Sequence, residues 1–261
     1  MITKGRCHTA PFLTGDIMDT LDTLIRVSGV MQDSIVDGPG LRYVLFTQGC
    51  YHNCKGCHNP ETHSFEGGKL VTVKRLLELL DKNPLTQGVT LSGGECLMQP
   101  DFAIEILRRC KEERIGTAIE TCGFVPFHVF ERAAPYLDIV LYDVKHMDSA
   151  AHKHWTGVPN ELILENLHRL SAELGIPVIA RTPLLPGVND SAENLHAMGK
   201  FLSEQVPTLR EVNLLPYHRL GEGKWEQLED RTHQEVDTHV PETEELQPLL
   251  EILRSYGITA K

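Results

Sequence analysis

Short runs of β-branched and apolar residues alternate along the chain with longer segments that have the spacing of amphipathic helices. The runs that predict strands are Tyr43–Phe46, Val89–Leu91, Thr117–Glu120, Ile139–Tyr142, Val178–Arg181 and Glu211–Leu214. The segments that predict helices are Val73–Leu80, Phe102–Glu113, Glu161–Leu174 and Ala192–Gln205, with a final one from Thr243 to Ser255. Strands that alternate with helices favour parallel pairing through crossover connections. The pattern therefore predicts an α/β fold in which one parallel sheet curls into a partial or complete barrel.

The chain ahead of this alternation has a different pattern. Leu24–Val30 and Gln32–Val36 predict a hairpin that leads into the turn residues Asp37-Gly38-Pro39-Gly40. Residues 1–23 show no clear periodicity. We therefore expect a poorly ordered N-terminal extension over residues 1–23 and one domain over residues 24–261.

Composition and charge narrow the function classes. The 261 residues are 41% hydrophobic and 23% charged, and no apolar run approaches the ~18 residues of a membrane span. Residues 1–17 lack the apolar core of a signal peptide, so we expect a cytoplasmic protein with no membrane partner. The net charge of −11 argues against a nucleic-acid partner, because phosphate binding requires clustered Lys and Arg.

The unusual motifs follow the predicted strands. They are Gly49–Asn59, Ser92–Cys96, Thr121–Gly123, Asp143 with Lys145, Thr182–Asn189 and Pro216–His218. In parallel barrels the loops at the carboxyl ends of strands carry the chemistry. The motifs therefore predict one active site at that end of the sheet.

Three of the seven cysteines, Cys50, Cys54 and Cys57, lie within eight residues. In a reducing compartment such a cluster predicts metal or redox chemistry rather than disulfides. Three thiolates spaced C-x3-C-x2-C can hold a 4Fe–4S cluster and leave its fourth iron open to an exogenous ligand. A zinc site completed by His52 or His58 satisfies the same spacing.

The C-x3-C-x2-C spacing resembles the signature of the radical S-adenosylmethionine (SAM) superfamily. The wider sequence resembles the activating enzymes of glycyl radical enzymes, and most of all the pyruvate formate-lyase activating branch. The matching segments are Asp37–Arg42, Gln48–Cys50, Cys57–Thr62, Leu91–Glu95, Asp143–Lys145, Arg181–Pro183 with Pro186-Gly187, and Leu214–His218. They extend over about residues 25–257. The resemblance implies a partial (β/α)6 barrel of the TIM type.

The resemblance also implies a reaction, with Cys50, Cys54 and Cys57 as the catalytic cluster ligands. In this family SAM binds the open iron, and its reductive cleavage gives methionine and a 5′-deoxyadenosyl radical. That radical removes a hydrogen from a glycine Cα of a protein partner, here expected to be pyruvate formate-lyase (formate acetyltransferase). The resemblance further implies anaerobic metabolism, flavodoxin or ferredoxin as electron donor, and a monomer.

Residues at several strand ends are implied to contact SAM. They are Gly56, Asn59, Gly93, Gly94, Glu95, Asp143, Lys145, Arg181 and His218. Asp143 and Lys145 lie two apart on a strand and so share a face, where a lysine can meet the SAM carboxylate. Each of these residues also has an ordinary structural explanation. Gly93 and Gly94 fit a plain turn, Asp143 and Lys145 fit a surface ion pair, and His218 fits a core or surface histidine.

Two further roles are implied by position. The stretch from Glu120 to Gly123 stands where the family usually has Asp-Thr-Asn-Gly, and pyruvate formate-lyase activators bind a monovalent cation there. Glu120, Thr121 and Asp143 are the candidate cation ligands. Asp37 is implied to contact the partner protein, although composition alone predicts only a tight turn there.

The branch of the family is indicated by an absence in the sequence. Many relatives carry a ferredoxin-like insertion rich in cysteine between the first two strands, whereas His58–Ser92 contains no cysteine. Cys96, Cys110 and Cys122 lack ferredoxin spacing and predict buried thiols. Three alternatives stay open: activation of another glycyl radical enzyme, activation of anaerobic ribonucleotide reductase, and a non-catalytic zinc protein.

Overall fold

The computed structural model describes residues 24–80, 85–228 and 239–261. The predicted N-terminal extension, residues 1–23, lies outside the described residues. Within them, no helix is long and apolar enough to cross a membrane.

Eight strands form one open sheet. They are β1 (Leu24–Ser34), β2 (Arg42–Thr47), β3 (Lys69–Thr72), β4 (Gly88–Gly93), β5 (Gly116–Thr121), β6 (Ile139–Asp143), β7 (Val178–Leu184) and β8 (Leu209–Pro216). Their order is β3-β1-β2-β4-β5-β6-β7-β8, and every pair from β2 to β8 is parallel. The predicted strands are therefore the parallel ones, and the prediction of a partial barrel is confirmed.

The hairpin prediction is wrong. Leu24–Ser34 is one continuous strand that pairs antiparallel with β2 along one edge and with β3 along the other. The single residue between the two predicted strands, Met31, provides no turn, so the strand continues to Ser34 with an irregularity at Asp33, which has φ of +60°. The short strand β3 has no counterpart among the predictions, because its four residues lead directly into a helix.

The helices of the described residues cover one face of the sheet, except the shortest of them, which packs against residues 60–62. They are α1 (Val73–Leu80), α2 (Pro100–Glu112), α3 (Phe127–Ala133), α4 (Ser149–Thr156), α5 (Glu161–Ala172), α6 (Ala192–Gln205), α7 (Glu222–Trp225) and α8 (Thr243–Arg254). Strand residues that face them join one large core with the helices. The alternate residues Ala118, Ile139, Leu141 and Ile179 form a smaller cluster, as expected for the inner face of a curled sheet.

The edges of the parallel sheet are protected. On one side β1 and β3 extend it, and on the other the last residues of the chain pair with β8. Val212 N donates to Thr259 O at 2.8 Å, and Leu214 N donates to Lys261 O at 3.0 Å. Because the strands are parallel, their carboxyl ends meet at one end of the sheet, which is where the unusual motifs lie.

Candidate active site

A cavity of about 1240 Å³, counted with its open mouth, lies at the carboxyl ends of the parallel strands. Predicted site residues that line it are Cys50, Cys54, Gly56, Cys57, Asn59, Gly93, Gly94, Glu120, Thr121, Asp143 and Lys145. Glu95, Arg181, His218 and Asp37 are not among the lining residues. The structure thus brings most of the predicted site residues together around one cavity. It places the remaining four behind the residues that line that cavity.

The cysteine loop (residues 49–59) follows β2 and is fixed by its backbone. Gly49 N donates to Thr62 O at 2.7 Å, which closes the loop on itself. Asn53 N donates to Thr156 O and Lys55 N donates to Trp155 O, both at 2.9 Å, at the end of α4. These bonds do not involve the cysteine side chains, so the loop has its shape independently of the sulfur atoms.

The three thiols of this loop are half-buried and not in disulfides. Burial raises the pKa of the Cys57 thiol to about 12, and it also raises the pKa of Cys50 and of Cys54. Thiols in such surroundings become thiolates only when a metal centre supplies positive charge. The donor set therefore suits a bound metal cluster.

The two metal centres that the sequence allows, zinc and a 4Fe–4S cluster, differ in how far apart they place their ligands. Across residues 24–80, 85–228 and 239–261, no three His, Cys, Asp or Glu side chains lie close enough together to hold one metal ion. Zinc requires its donors at about 2.0–2.3 Å from a single atom. A 4Fe–4S cluster attaches each thiolate to a different iron, so its ligands stand further apart.

The two glycines at the end of β4, Gly93 and Gly94, pack against residues at the start of the cysteine loop. Gly93 has φ of +109°, and a Cβ there would lie 2.2 Å from Thr47 N. A Cβ at Gly94 would lie 2.4 Å from Gly49 O. Side chains are therefore excluded at both positions, whereas the predicted contact with the SAM amino group stays a prediction.

Glu95 stabilises the cavity wall beside the start of the cysteine loop, where its backbone N donates to Gly49 O at 3.0 Å. Its carboxylate is buried and accepts hydrogen bonds from Leu97 N at 3.1 Å, Cys122 N at 2.9 Å and Thr121 Oγ1 at 2.8 Å. Of these partners Thr121 and Cys122 line the cavity. The structure therefore gives Glu95 a positioning role, and its predicted contact with SAM stays a prediction.

Asp143 and Lys145 form an ion pair in the cavity wall. Lys145 Nζ donates to Asp143 Oδ2 at 2.6 Å, and the two side chains are 19% and 16% exposed. Burial lowers the pKa of Lys145, but Asp143 and the thiol of Cys54 raise it well above its usual value overall. The second oxygen, Asp143 Oδ1, is buried without a hydrogen-bond partner in the described structure. The pair faces the cavity and is not a surface ion pair.

Arg181 stands behind the cavity wall, against Glu120. Its guanidinium donates to the Glu120 carboxylate through Nη1 and to Val36 O through Nη2 at 2.9 Å. Asp37 Oδ1 lies 3.6 Å from Nη1. Burial raises the pKa of Glu120, and Arg181 opposes that rise. Arg181 is thus the cationic partner of a half-buried carboxylate, and Asp37 belongs to the same charge network.

The candidate cation residues share one wall but are already engaged. Glu120 binds Arg181, and Asp143 binds Lys145. Thr121 donates its hydroxyl proton to a buried carboxylate. A monovalent cation at this wall would compete with two cationic side chains, so the cation site stays a prediction.

His218 reaches the cavity only through another histidine. Its ring stacks on His58, with centroids 3.9 Å apart and an interplanar angle of 14°. Burial and the neighbouring His218 lower the pKa of His58 to about 4. His58 Nε2 and His218 Nδ1 are both buried without a hydrogen-bond partner among the described residues. These two nitrogens and Asp143 Oδ1 are therefore buried polar atoms that a polar ligand could hydrogen-bond.

Two residues that the sequence analysis did not identify hold the carboxyl end of the cysteine loop; we call Lys224 and Trp225 the clasp. Trp225 Nε1 donates to Cys57 O at 3.0 Å. Lys224 Nζ donates to His58 O at 3.0 Å and to Asn59 Oδ1 at 2.9 Å. At least 165 residues separate the partners in sequence, so no local spacing announces these contacts.

Trp225→Phe tests the clasp, because phenylalanine keeps an aromatic ring but removes the donor to Cys57 O. We expect the reconstituted cluster to be lost severalfold faster to an iron chelator, as measured by the decay of its visible absorbance. Trp155→Phe is the matched control, since Trp155 binds the loop through its backbone carbonyl and through its ring beside Lys55, and phenylalanine keeps both contacts. Equal decay rates for the two variants would show that the clasp has no influence on the cluster.

Comparisons with known proteins agree with this geometry. Residues 44–198 match the radical SAM superfamily. The chain is 38% identical over 208 residues to the pyruvate formate-lyase-activating enzyme of Clostridium pasteurianum, covering 78% of this chain and 86% of that one. It is 35% identical over 268 residues to the choline trimethylamine-lyase activating enzyme of Oleidesulfovibrio alaskensis, covering 77% and 86%.

A comparison with solved structures also finds an activating enzyme. The chain matches the crystal structure of a domain of pyruvate-formate lyase-activating enzyme from Bacteroides vulgatus with a TM-score of 0.57 and 33% identity. That match covers 67% of this chain and 97% of the solved one.

Proposed function

Since the chain belongs to the radical SAM superfamily, and within it to the activating enzymes of glycyl radical enzymes, we propose that its target is a pyruvate formate-lyase. The family's cofactors are a 4Fe–4S cluster and SAM, and its members act on a glycyl radical enzyme as protein substrate.

The choice of target rests on the absence of a cysteine-rich insertion between the first two parallel strands. Residues His58–Ser92 contain no cysteine. The alignment with the choline trimethylamine-lyase activating enzyme runs over 268 positions, more than the 261 residues of this chain, yet covers 77% of it. That relative therefore has segments that this chain lacks. The alignment with the pyruvate formate-lyase-activating enzyme covers 78% of the chain in 208 positions.

The cysteine loop is proposed to hold the cluster through Cys50, Cys54 and Cys57. When bound, the cluster and SAM supply the electron and the 5′-deoxyadenosyl radical that removes the glycine hydrogen. The protein orients these groups and excludes water from them. Backbone bonds from the loop to α4 support this role, because they fix the thiols before the cluster arrives.

The cavity walls formed by the ends of β4 and β6 are proposed to bind SAM. Lys145 would meet the carboxylate as a charge-assisted donor, while Gly93 and Gly94 leave room for the amino group. Gly56 and Asn59 line the cavity at the cysteine loop, where the adenine is expected. Asp143, which lines the cavity, is a further proposed contact of SAM. Glu95, Arg181 and His218 lie behind the lining residues and are proposed to contact SAM between them.

Lys145→Ala should weaken SAM binding and spare the cluster. A hydrogen bond between charged groups is worth about 1.5–3 kcal/mol, so we expect the dissociation constant of SAM to rise about tenfold or more. Iron and sulfide contents should match those of the wild type. Lys153→Ala, which removes an exposed lysine of α4, is the matched control. An unchanged dissociation constant in Lys145→Ala would remove the proposed role.

Several properties complete the proposal. Asp37, held near Arg181 at the outer end of the charge network, is proposed to contact the partner protein. Residues 24–261 are proposed to act as one domain, as a monomer in the cytoplasm, with flavodoxin or ferredoxin as electron donor.

The test of the target is a comparison of partners. The reduced protein and SAM are mixed anaerobically with pyruvate formate-lyase, choline trimethylamine-lyase and isethionate sulfite-lyase in separate samples. We expect the doublet of a glycyl radical in the electron paramagnetic resonance (EPR) spectrum of the pyruvate formate-lyase sample. A doublet in another sample, with pyruvate formate-lyase silent, would replace the target while keeping the activase function.

A further inference from the structure

One peptide group of the cysteine loop directs its N–H at a sulfur and its carbonyl at the clasp. Asn59 N donates to Cys57 Sγ at 3.4 Å. The carbonyl of the same peptide group, His58 O, accepts from Lys224 Nζ at 3.0 Å. Because a peptide group is planar, with its C=O and N–H pointing in opposite directions, a donor that holds the carbonyl also sets the direction of the N–H. Lys224 therefore determines where the Asn59 amide points.

The clasp also holds the neighbouring groups of the loop. Trp225 Nε1 donates to Cys57 O at 3.0 Å, which fixes the preceding peptide group. Lys224 Nζ donates in addition to Asn59 Oδ1 at 2.9 Å, so the same ammonium binds the residue that carries the amide donor. Two adjacent residues of α7 thus bind two consecutive peptide groups and one side chain of the loop.

The backbone before α7 packs closely against the loop. The 3-10 turn that precedes α7 ends at Gly221, where a Cβ would lie 3.1 Å from His58 Cα and 3.2 Å from Cys57 O. The absence of a side chain there lets the two backbones approach each other. Trp225 is 9% exposed, and its ring packs edge-on against His63, with centroids 5.6 Å apart. Packing and hydrogen bonds therefore fix the clasp together.

The ammonium of Lys224 also has a carboxylate partner. Glu61 Oε1 lies 2.7 Å from Lys224 Nζ, and the two side chains are 36% and 41% exposed. Loss of the lysine would therefore have two effects: it would release the His58 carbonyl, and it would leave the Glu61 charge uncompensated beside the loop. The two effects are separable, because Glu61→Gln removes the charge and leaves the peptide group untouched.

We propose that Lys224 and Trp225 are positioning residues that aim the Asn59 amide at the sulfur of Cys57 and so raise the reduction potential of the cluster. The inference rests on the proposed role of Cys57 as a cluster ligand. Both clasp residues act through the backbone of the loop, and neither is among the residues that line the cavity. The donor is a backbone N–H, which carries its proton whatever the ionisation of the side chains around it.

The effect of this hydrogen bond follows from charge. Reduction adds one electron, and a donor at a ligand sulfur stabilises the more negative, reduced state. Hydrogen bonds to the sulfurs are among the factors that set the potential of iron–sulfur clusters. The clasp therefore makes the cluster easier to reduce, and a loosened clasp should lower the potential.

The experiment is a potentiometric titration of the reconstituted protein without SAM, followed by the EPR signal of the reduced cluster. Lys224→Met removes the ammonium and keeps a long side chain. We expect the ratio of reduced to oxidised cluster at a fixed potential to fall about three- to tenfold, the range expected for one hydrogen bond. A tenfold change corresponds to about 59 mV for one electron. Lys111→Met, which breaks an exposed pair with Asp138 away from the cavity, is the matched control and should titrate as the wild type.

Two further variants separate positioning from charge. The double variant Lys224→Met with Glu61→Gln removes both charges, so the fall that remains, expected to be at least about twofold, comes from the released peptide group. A wild-type titration curve for this variant would assign the effect to charge alone and overturn the proposal. Trp225→Phe releases only the Cys57 carbonyl and should lower the ratio by a smaller factor. If Lys224→Met assembles no cluster, Trp225→Phe decides the matter, and an unchanged curve there would overturn the proposal.

The inference and the proposed function can fail separately. Full iron and sulfide contents in Cys57→Ala would refute the ligand assignment, and the inference with it. Loss of the cluster in Cys57→Ala, combined with an unchanged potential in a cluster-bearing Lys224→Met, would refute the inference alone.

Discussion

Replacing Cys54 by alanine is expected to abolish cluster assembly and SAM cleavage while leaving the protein folded. Two thiolates would remain, which do not retain three irons of a 4Fe–4S cluster. The fold should survive because Asn53 N and Lys55 N hold the cysteine loop on α4 through backbone bonds. Iron and sulfide analysis after anaerobic reconstitution measures the first effect, and far-ultraviolet circular dichroism measures the second.

Cys110→Ala is the matched control for this variant. Cys110 is fully buried in α2, within the large core, and is not among the residues that line the cavity. We expect it to keep a full cluster and wild-type SAM cleavage, with only a small loss of stability from the missing sulfur. Retained cleavage in Cys54→Ala would contradict the proposed ligand set.

Arg181→Leu is expected to lower the free energy of unfolding by about 1.5–3 kcal/mol, which is less than the loss at a fully buried ion pair because the Glu120 side chain is 22% exposed. The arginine side chain is 7% exposed, and its loss leaves the Glu120 carboxylate in the wall without its cation. Urea unfolding of the wild type and the variant measures the difference. Arg132→Leu, which breaks an exposed pair with Asp101, should have little effect.

The same pair predicts how the loss depends on pH and on a second substitution. Burial raises the pKa of Glu120 even with Arg181 in place, and removing the arginine takes away the charge that opposes this rise. Stability is then retained at acid pH and lost as the pH rises through the pKa of the folded protein. Adding Glu120→Gln to Arg181→Leu should recover much of the lost stability. A loss that is independent of pH and unrelieved by the second substitution would contradict the account.

The regular part of the fold could be predicted because its signals are local. The runs from Tyr43 to Leu214 alternate with helical patterns, and these six runs are the parallel strands of the structure. The error at β1 has a physical reason as well. Its apolar and polar residues satisfy a hairpin as well as a single strand, and only the pairing with both β2 and β3 decides between them.

The site could be predicted in part for the same reason. Cys50, Cys54 and Cys57 lie on one loop, and a parallel sheet brings strand ends such as Asp143 to the same place. Arg181 and His218 follow strands too, but the packing of Glu120 and of His58 places them behind the wall. The position of a residue along a strand does not determine whether its long side chain lines the cavity or packs behind the residues that line it.

The contacts that tie the site together were beyond local patterns. Trp225 reaches the carbonyl of Cys57 across 168 residues, and His52 reaches Cys122 across 70. Neither Trp225 nor His52 belongs to a periodic pattern or a spaced motif from which its contact at the cysteine loop could be predicted. Only the fold, by bringing α7 and the end of β5 to the cysteine loop, makes the contacts visible.

The most direct test of the account is anaerobic reconstitution of the wild-type protein, followed by reduction with dithionite in the presence of SAM. The account predicts a brown protein with about four irons per chain. Its reduced EPR signal should change shape when SAM is added, and it should release methionine and 5′-deoxyadenosine in equal amounts. A colourless protein that binds zinc stoichiometrically and leaves SAM intact would contradict it.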